Sequence, residues 1–140
     1  MFQKILVAYD GSEGSRRALL SGIELAKRLG TDLYTISVIE HLPHYAATVG
    51  EVKEAQEEFQ EYFQTLAKQA RDLAVLRGVE IETVIKPGHE VETIITYARE
   101  GSFDLLLIGF AGHSNIWGRV MGSTTQNLSR LAPCSVMIVK

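Results

Sequence analysis

The chain has one cysteine, Cys134, among 140 residues, so no internal disulfide can form; this agrees with a reducing compartment. Positive charge is not in excess. The formal net charge of −3 and the absence of a concentrated basic stretch argue against a dedicated binder of nucleic acid or anionic membrane. No apolar run approaches the roughly 20 residues that a membrane span requires. The start, Met1 to Ala8, lacks the layout of a signal peptide, because its apolar run is short and leads directly into Tyr9-Asp10-Gly11. A cytoplasmic protein is therefore expected.

Several nucleotide motifs are missing too. There is no Gly-x-x-x-x-Gly-Lys-Ser/Thr loop, and the first turn reads Asp10-Gly11-Ser12-Glu13-Gly14 rather than Gly-x-Gly-x-x-Gly. Phosphate-loop NTPases and dinucleotide dehydrogenases are excluded on that ground. A response-regulator receiver would need an acidic pair after the first strand and an aspartate after the third. Here Asp10 stands alone and the third strand ends in Lys86-Pro87.

What is present is an ordinary globular composition, 46% hydrophobic and 22% charged, at the size of one domain and without a linker. Five apolar runs of strand length, 4–9, 33–39, 79–86, 104–108 and 135–139, alternate with helical patterns. Ala18, Leu19, Gly22, Ile23, Ala26 and Leu29 mark one helix face, with Gly30 as its stop. A long helix carries Val52, Ala55, Phe59, Tyr62, Phe63, Leu66, Ala70 and Leu73 on a stripe read as core packing. Its early glutamates and its late Arg71 and Arg77 suit the helix dipole. Val91, Ile94, Ile95 and Ala98 mark the third helix, and the fourth runs from about Thr124 to Leu131, before Pro133.

This alternation predicts an α/β fold: a single-domain, Rossmann-like, open parallel five-stranded sheet with helices on both faces and strand order 3-2-1-4-5. In such sheets ligands bind beyond the carboxyl ends of the strands where the order reverses. Asp10 and Gly109 end the first and fourth strands and should border that crevice. The fourth strand leads into Gly109-x2-Gly112-x9-Gly122-Ser123, followed by Thr124 and Thr125. Glycines after a strand let backbone N–H groups approach a ligand, and a helix start favours anions. Phosphate binding is the chemistry this predicts.

Lys4-Ile5-Leu6-Val7-Ala8-Tyr9-Asp10-Gly11-Ser12, the spaced glycines and Pro133-Cys134-Ser135-Val136, all in register, resemble the universal stress protein family over nearly the whole chain. The glycine pattern is similar to that family's ATP-binding signature. The resemblance implies that Asp10 lies near ribose and adenine, and that the backbone of Val38 meets the adenine edge. It implies further that Gly109 and Gly112 pass close to ribose and phosphates, and that Gly122, Ser123, Thr124 and, as an addition, Thr125 meet the phosphates. The chain departs from the ATP-binding members at Phe110-Ala111, where they usually have a small polar residue and then a basic residue or histidine.

The expected ligand is ATP, or ADP or AMP, with magnesium or manganese on its phosphates, since nearby positive charge is limited to Arg119 and His113. No efficient catalytic set accompanies the glycines, leaving slow hydrolysis or autophosphorylation conceivable. The expected role is a nucleotide-dependent switch in a stress response. The alternative is an adaptor dimer of the same fold that binds no nucleotide. Strand 135–139 would be an exposed apolar edge at the end of the sheet, and pairing with a second copy would cover it; a homodimer is also what the resemblance implies.

Local roles compete at several of these positions. Ser123 and Gln126 have capping-box spacing, and Asp10 before Gly11-Ser12 is a turn former. His41 and His44 lack a third metal ligand, Cys134 is expected to be buried rather than reactive, and Trp117 to cover apolar surface.

Overall fold

The computed structural model describes residues 2–40, 49–111 and 121–140, with the side chains of Val49 and Val52 excepted. The elements alternate as β1 (Lys4–Ala8), α1 (Glu13–Leu29), β2 (Asp32–Ile39), α2 (Val49–Val75), β3 (Glu82–Pro87), α3 (Glu90–Glu100), β4 (Leu105–Gly109), α4 (Ser123–Leu131) and β5 (Ser135–Val139). All pairings are parallel, in the order β3-β2-β1-β4-β5. That is the architecture and order expected from the sequence.

Side-chain alternation on the central strands builds two cores. Ile5 and Val7 of β1 and Leu105 and Leu107 of β4 point to one face, where Leu19 and Ile23 of α1 and Leu66, Ala70 and Ala74 of α2 cover them. Leu6, Leu106 and Ile108 point to the other face, under Ile94 and Ala98 of α3 and Leu128 of α4. Central strands covered on both faces must be apolar throughout, which is why these runs show no polar alternation.

The boundaries differ from the sequence expectation for local reasons. Strand β3 starts at Glu82, not Val79, because the Val79 N–H closes the end of α2 on the Ala74 carbonyl at 3.0 Å. Strand β4 continues to Gly109, which pairs with Val139. Helix α4 begins at Ser123 with Gly122 as its N-cap, so Ser123 is not the cap and the expected capping box does not form. Gln126 instead donates through Nε2 to the Met121 carbonyl at 3.3 Å. Arg71 crosses to Thr83 on β3 at 2.8 Å rather than serving the end of its own helix. Tyr62, placed on the core stripe by its spacing, is half exposed.

Helices α1 and α2 lie on one face, and α3 and α4 on the other. The chain therefore changes face between β1 and β4, and their carboxyl ends open between the helix starts. Among the described residues, no helix is long and apolar enough to cross a membrane.

Candidate functional site

The loop after β1 is fixed by its own hydrogen bonds. The Asp10 carboxylate accepts the Ser12 N–H at 2.9 Å, the turn expected of an aspartate before Gly-Ser. Ser12 then caps α1, its Oγ accepting the Ser15 N–H at 3.2 Å. The Ser15 hydroxyl donates to the Ser12 carbonyl at 3.0 Å and accepts the Asp10 N–H at 3.3 Å. From β2, Ser37 donates to the Tyr9 carbonyl at 2.6 Å, tying the two strand ends together.

Across the opening, the end of β4 is bound to the start of α4. The Thr125 hydroxyl donates to the Gly109 carbonyl at 2.7 Å, and the Gly122 N–H to the Phe110 carbonyl at 3.1 Å. No side chain caps α4 at Gly122, and its first intrahelical bond runs from the Gln126 N–H to the Gly122 carbonyl. A helix beginning there leaves the N–H groups of Ser123, Thr124 and Thr125 to be satisfied from outside.

Two glycines let these halves approach. A Cβ on Gly109 would lie 2.6 Å from the Gly14 carbonyl carbon, and a Cβ on Gly14 would collide with the Ala111 carbonyl oxygen. The start of α1 thus rests directly on the backbone leaving β4. Any side chain at either position would force them apart.

The result is a cleft of ≈ 360 Å³ beyond the carboxyl ends of β1 and β4, within the range of small-molecule sites. Asp10, Val38, Gly109, Gly122, Ser123, Thr124 and Thr125 all line it. Of the site residues expected from the sequence, Gly112 lies outside the described residues, as do His41, Pro43, His44, His113, Trp117 and Arg119. Phe110 is not among the lining residues; its ring lies 5.3 Å from Lys140 Nζ, while Ala111 faces the cleft.

Sequence reasoning missed Ser12, Ser15, Tyr62 and Glu90 as lining residues. The serines had a legible signal, since a Ser directly before a helical pattern marks an N-cap. Tyr62 and Glu90 had none, because only the packing of α2 and α3 brings them to the opening.

The cleft is acidic at its charged positions. Asp10 and Glu90 line it, and no lysine, arginine or histidine does among the described residues. Burial raises the pKa of the Tyr9 hydroxyl, opposed by the Arg16 guanidinium nearby. No group of three His, Cys, Asp or Glu side chains suited to a metal occurs among the described residues. Cys134 is half-buried, and burial raises its thiol pKa, disfavouring the reactive thiolate.

The sequence profile of the universal stress protein family matches residues 1–140. Universal stress protein YxiE of Bacillus subtilis is 28% identical over 153 residues, covering 100% of both chains. Among solved structures, universal stress protein UspA from Lactobacillus plantarum superposes with a TM-score of 0.85 at 24% identity, over 99% of this chain and 98% of that one. A universal stress protein solved in complex with cAMP gives a TM-score of 0.73 at 26% identity, over 99% and 97% of the two chains.

Proposed function

The chain belongs to the universal stress protein family, and from that premise we propose that its cleft binds ATP or a related adenine nucleotide, whose occupancy switches the protein's conformation or assembly. The observation that carries this reading is the uncapped start of α4 opening into a cleft at the point where the sheet changes face. Its backbone donors suit phosphate, and the apolar walls suit a base. The relative in complex with cAMP, an adenine nucleotide, supports the ligand class.

Energetics constrain how binding must work. A helix dipole contributes about 0.3–1 kcal/mol, whereas micromolar affinity corresponds to about −8 kcal/mol. Several hydrogen bonds must therefore converge on the phosphates. With Asp10 and Glu90 in the lining, phosphate charge has to be offset. A magnesium or manganese ion held mainly by the phosphates and water would do this. The reading is binding and signalling in the cytoplasm rather than rapid turnover, because phosphoryl transfer depends on positioned positive charge.

Freshly purified protein should release an adenine nucleotide on heat extraction. Its melting temperature should also rise with magnesium and ATP, ADP, AMP or cAMP. An empty protein that shows no shift with any of the four overturns the reading. The second reading, an adaptor dimer that binds no nucleotide, is favoured by one observation, the apolar pair Phe110-Ala111 just after β4, with Ala111 facing the cleft. Nucleotide-independent dimers with no bound ligand would establish it.

A further inference from the structure

Tyr62 is an exception among the large apolar side chains of the described residues. Leu29, Val75, Leu76, Leu131 and Met137 are also exposed, yet Tyr62 is the one of this group that lines the cleft. It is 50% exposed, whereas its neighbour Phe63 is 8% exposed. The two rings meet edge to face at 5.3 Å, and Phe63 in turn stacks on Phe59 at 6.3 Å. An aromatic wall thus stands on α2, backed by core and open on one side.

The wall's position decides what it could touch. Helix α2 packs over β2 and β3, on the side of β1 away from β4 and α4. The phosphate-binding donors are therefore at one end of the cleft and Tyr62 is at the other. Ala8 and Val38, at the ends of β1 and β2, and Ile94, almost fully buried in the core of the other face, add apolar lining to the cleft. The Tyr62 hydroxyl lies over Gly11, 3.9 Å from where a Cβ would stand. Gly11 has φ of 82°, and a Cβ there would lie 2.6 Å from Leu66 Cδ2, so its lack of a side chain lets α2 pack directly against the loop after β1. A half-exposed aromatic ring lining a cleft with apolar residues at the strand ends suits a planar heterocycle.

We propose that Tyr62 is a positioning residue for the base of the bound nucleotide, offering its ring as a stacking surface at the end of the cleft opposite the phosphates. This rests on the nucleotide reading above. Base stacking on an aromatic side chain needs the ring's π face and tolerates a change of ring. The hydroxyl is dispensable to it, and aliphatic bulk does not replace it.

Calorimetric titration with magnesium and ATP on the wild type, Y62F, Y62W, Y62L and Y62A tests this. Y62F and Y62W should bind within about threefold of wild type, and Y62L and Y62A roughly five- to hundredfold more weakly. Y62L keeps the bulk of the side chain, so a purely structural role would leave it near wild type. If Y62L binds as the wild type does, or Y62F as weakly as Y62A, the proposal is overturned while the nucleotide reading stands. If the wild type itself binds no nucleotide, both fall.

Discussion

Asp104 shows how one side chain joins the start of the chain to the centre of the sheet. Its carboxylate accepts the Gln3 N–H at 2.8 Å and the Lys4 N–H at 3.1 Å, and its own N–H donates to the Lys4 carbonyl at 3.1 Å. Those backbone donors, that of Gln3 foremost, hold the carboxyl below its ordinary value, with burial opposing them. A lowered folded-state pKa means that the stabilisation is complete above the unfolded-state value of about 3.9 and is lost as pH falls through the lower folded-state value. Asp104→Asn should therefore be less stable than wild type at pH 7, with the gap narrowing at pH 3. Urea unfolding at both values checks this; a gap independent of pH would show that charge is not the cause.

At the scale of elements, the site depends on how closely α1 meets the end of β4. Gly14→Ala places a methyl group against the Ala111 carbonyl, and overpacking of this kind costs about 1–3 kcal/mol. The variant should melt several degrees lower and bind nucleotide more weakly than its stability alone explains, because the cleft's two halves are pushed apart. Thermal melting together with ATP titration separates the two effects; unchanged affinity would mean that the cleft tolerates the displacement. Helix α4 shows the opposite design. Its N-cap is a glycine without a side chain to satisfy the first N–H groups, so an element that could have been closed locally stays open toward the cleft.

Over the whole molecule, the sheet has two edges, β3 and β5. The Val139 carbonyl accepts the Phe110 N–H at 2.9 Å and so faces β4. Backbone groups alternate sides along a strand, which turns the Val136 and Ile138 N–H groups to the outer edge. If a second copy pairs there, as we propose for a homodimer, Val136→Pro removes one outward donor while sparing the bonds to β4. Light scattering should then report a folded monomer in place of a dimer. An unchanged dimer mass would assign the interface to another surface.

Much of the fold was legible because each level of the sequence agreed with the others. Apolar runs too continuous for a half-exposed strand, alternating with amphipathic helices, fixed the parallel sheet, and turn and glycine signals marked the ends of β1 and β4. Asp10 lies just beyond β1, Gly109 ends β4 and Gly122 to Thr125 open the helix that comes after β4, so their place at the crevice was readable from topology. Tyr62 and Glu90 were not readable, since a residue's distance from the cleft depends on how far α2 and α3 reach beyond the sheet. The cap of α4 was equally hidden: Ser123 has the chemistry of a cap, but the bond of Gly122 to Phe110 starts the helix one residue sooner. Periodicity determines which face of an element is buried; how closely Gly14 approaches Gly109, and which aromatic ring stands open to the cleft, is decided only when separate elements pack.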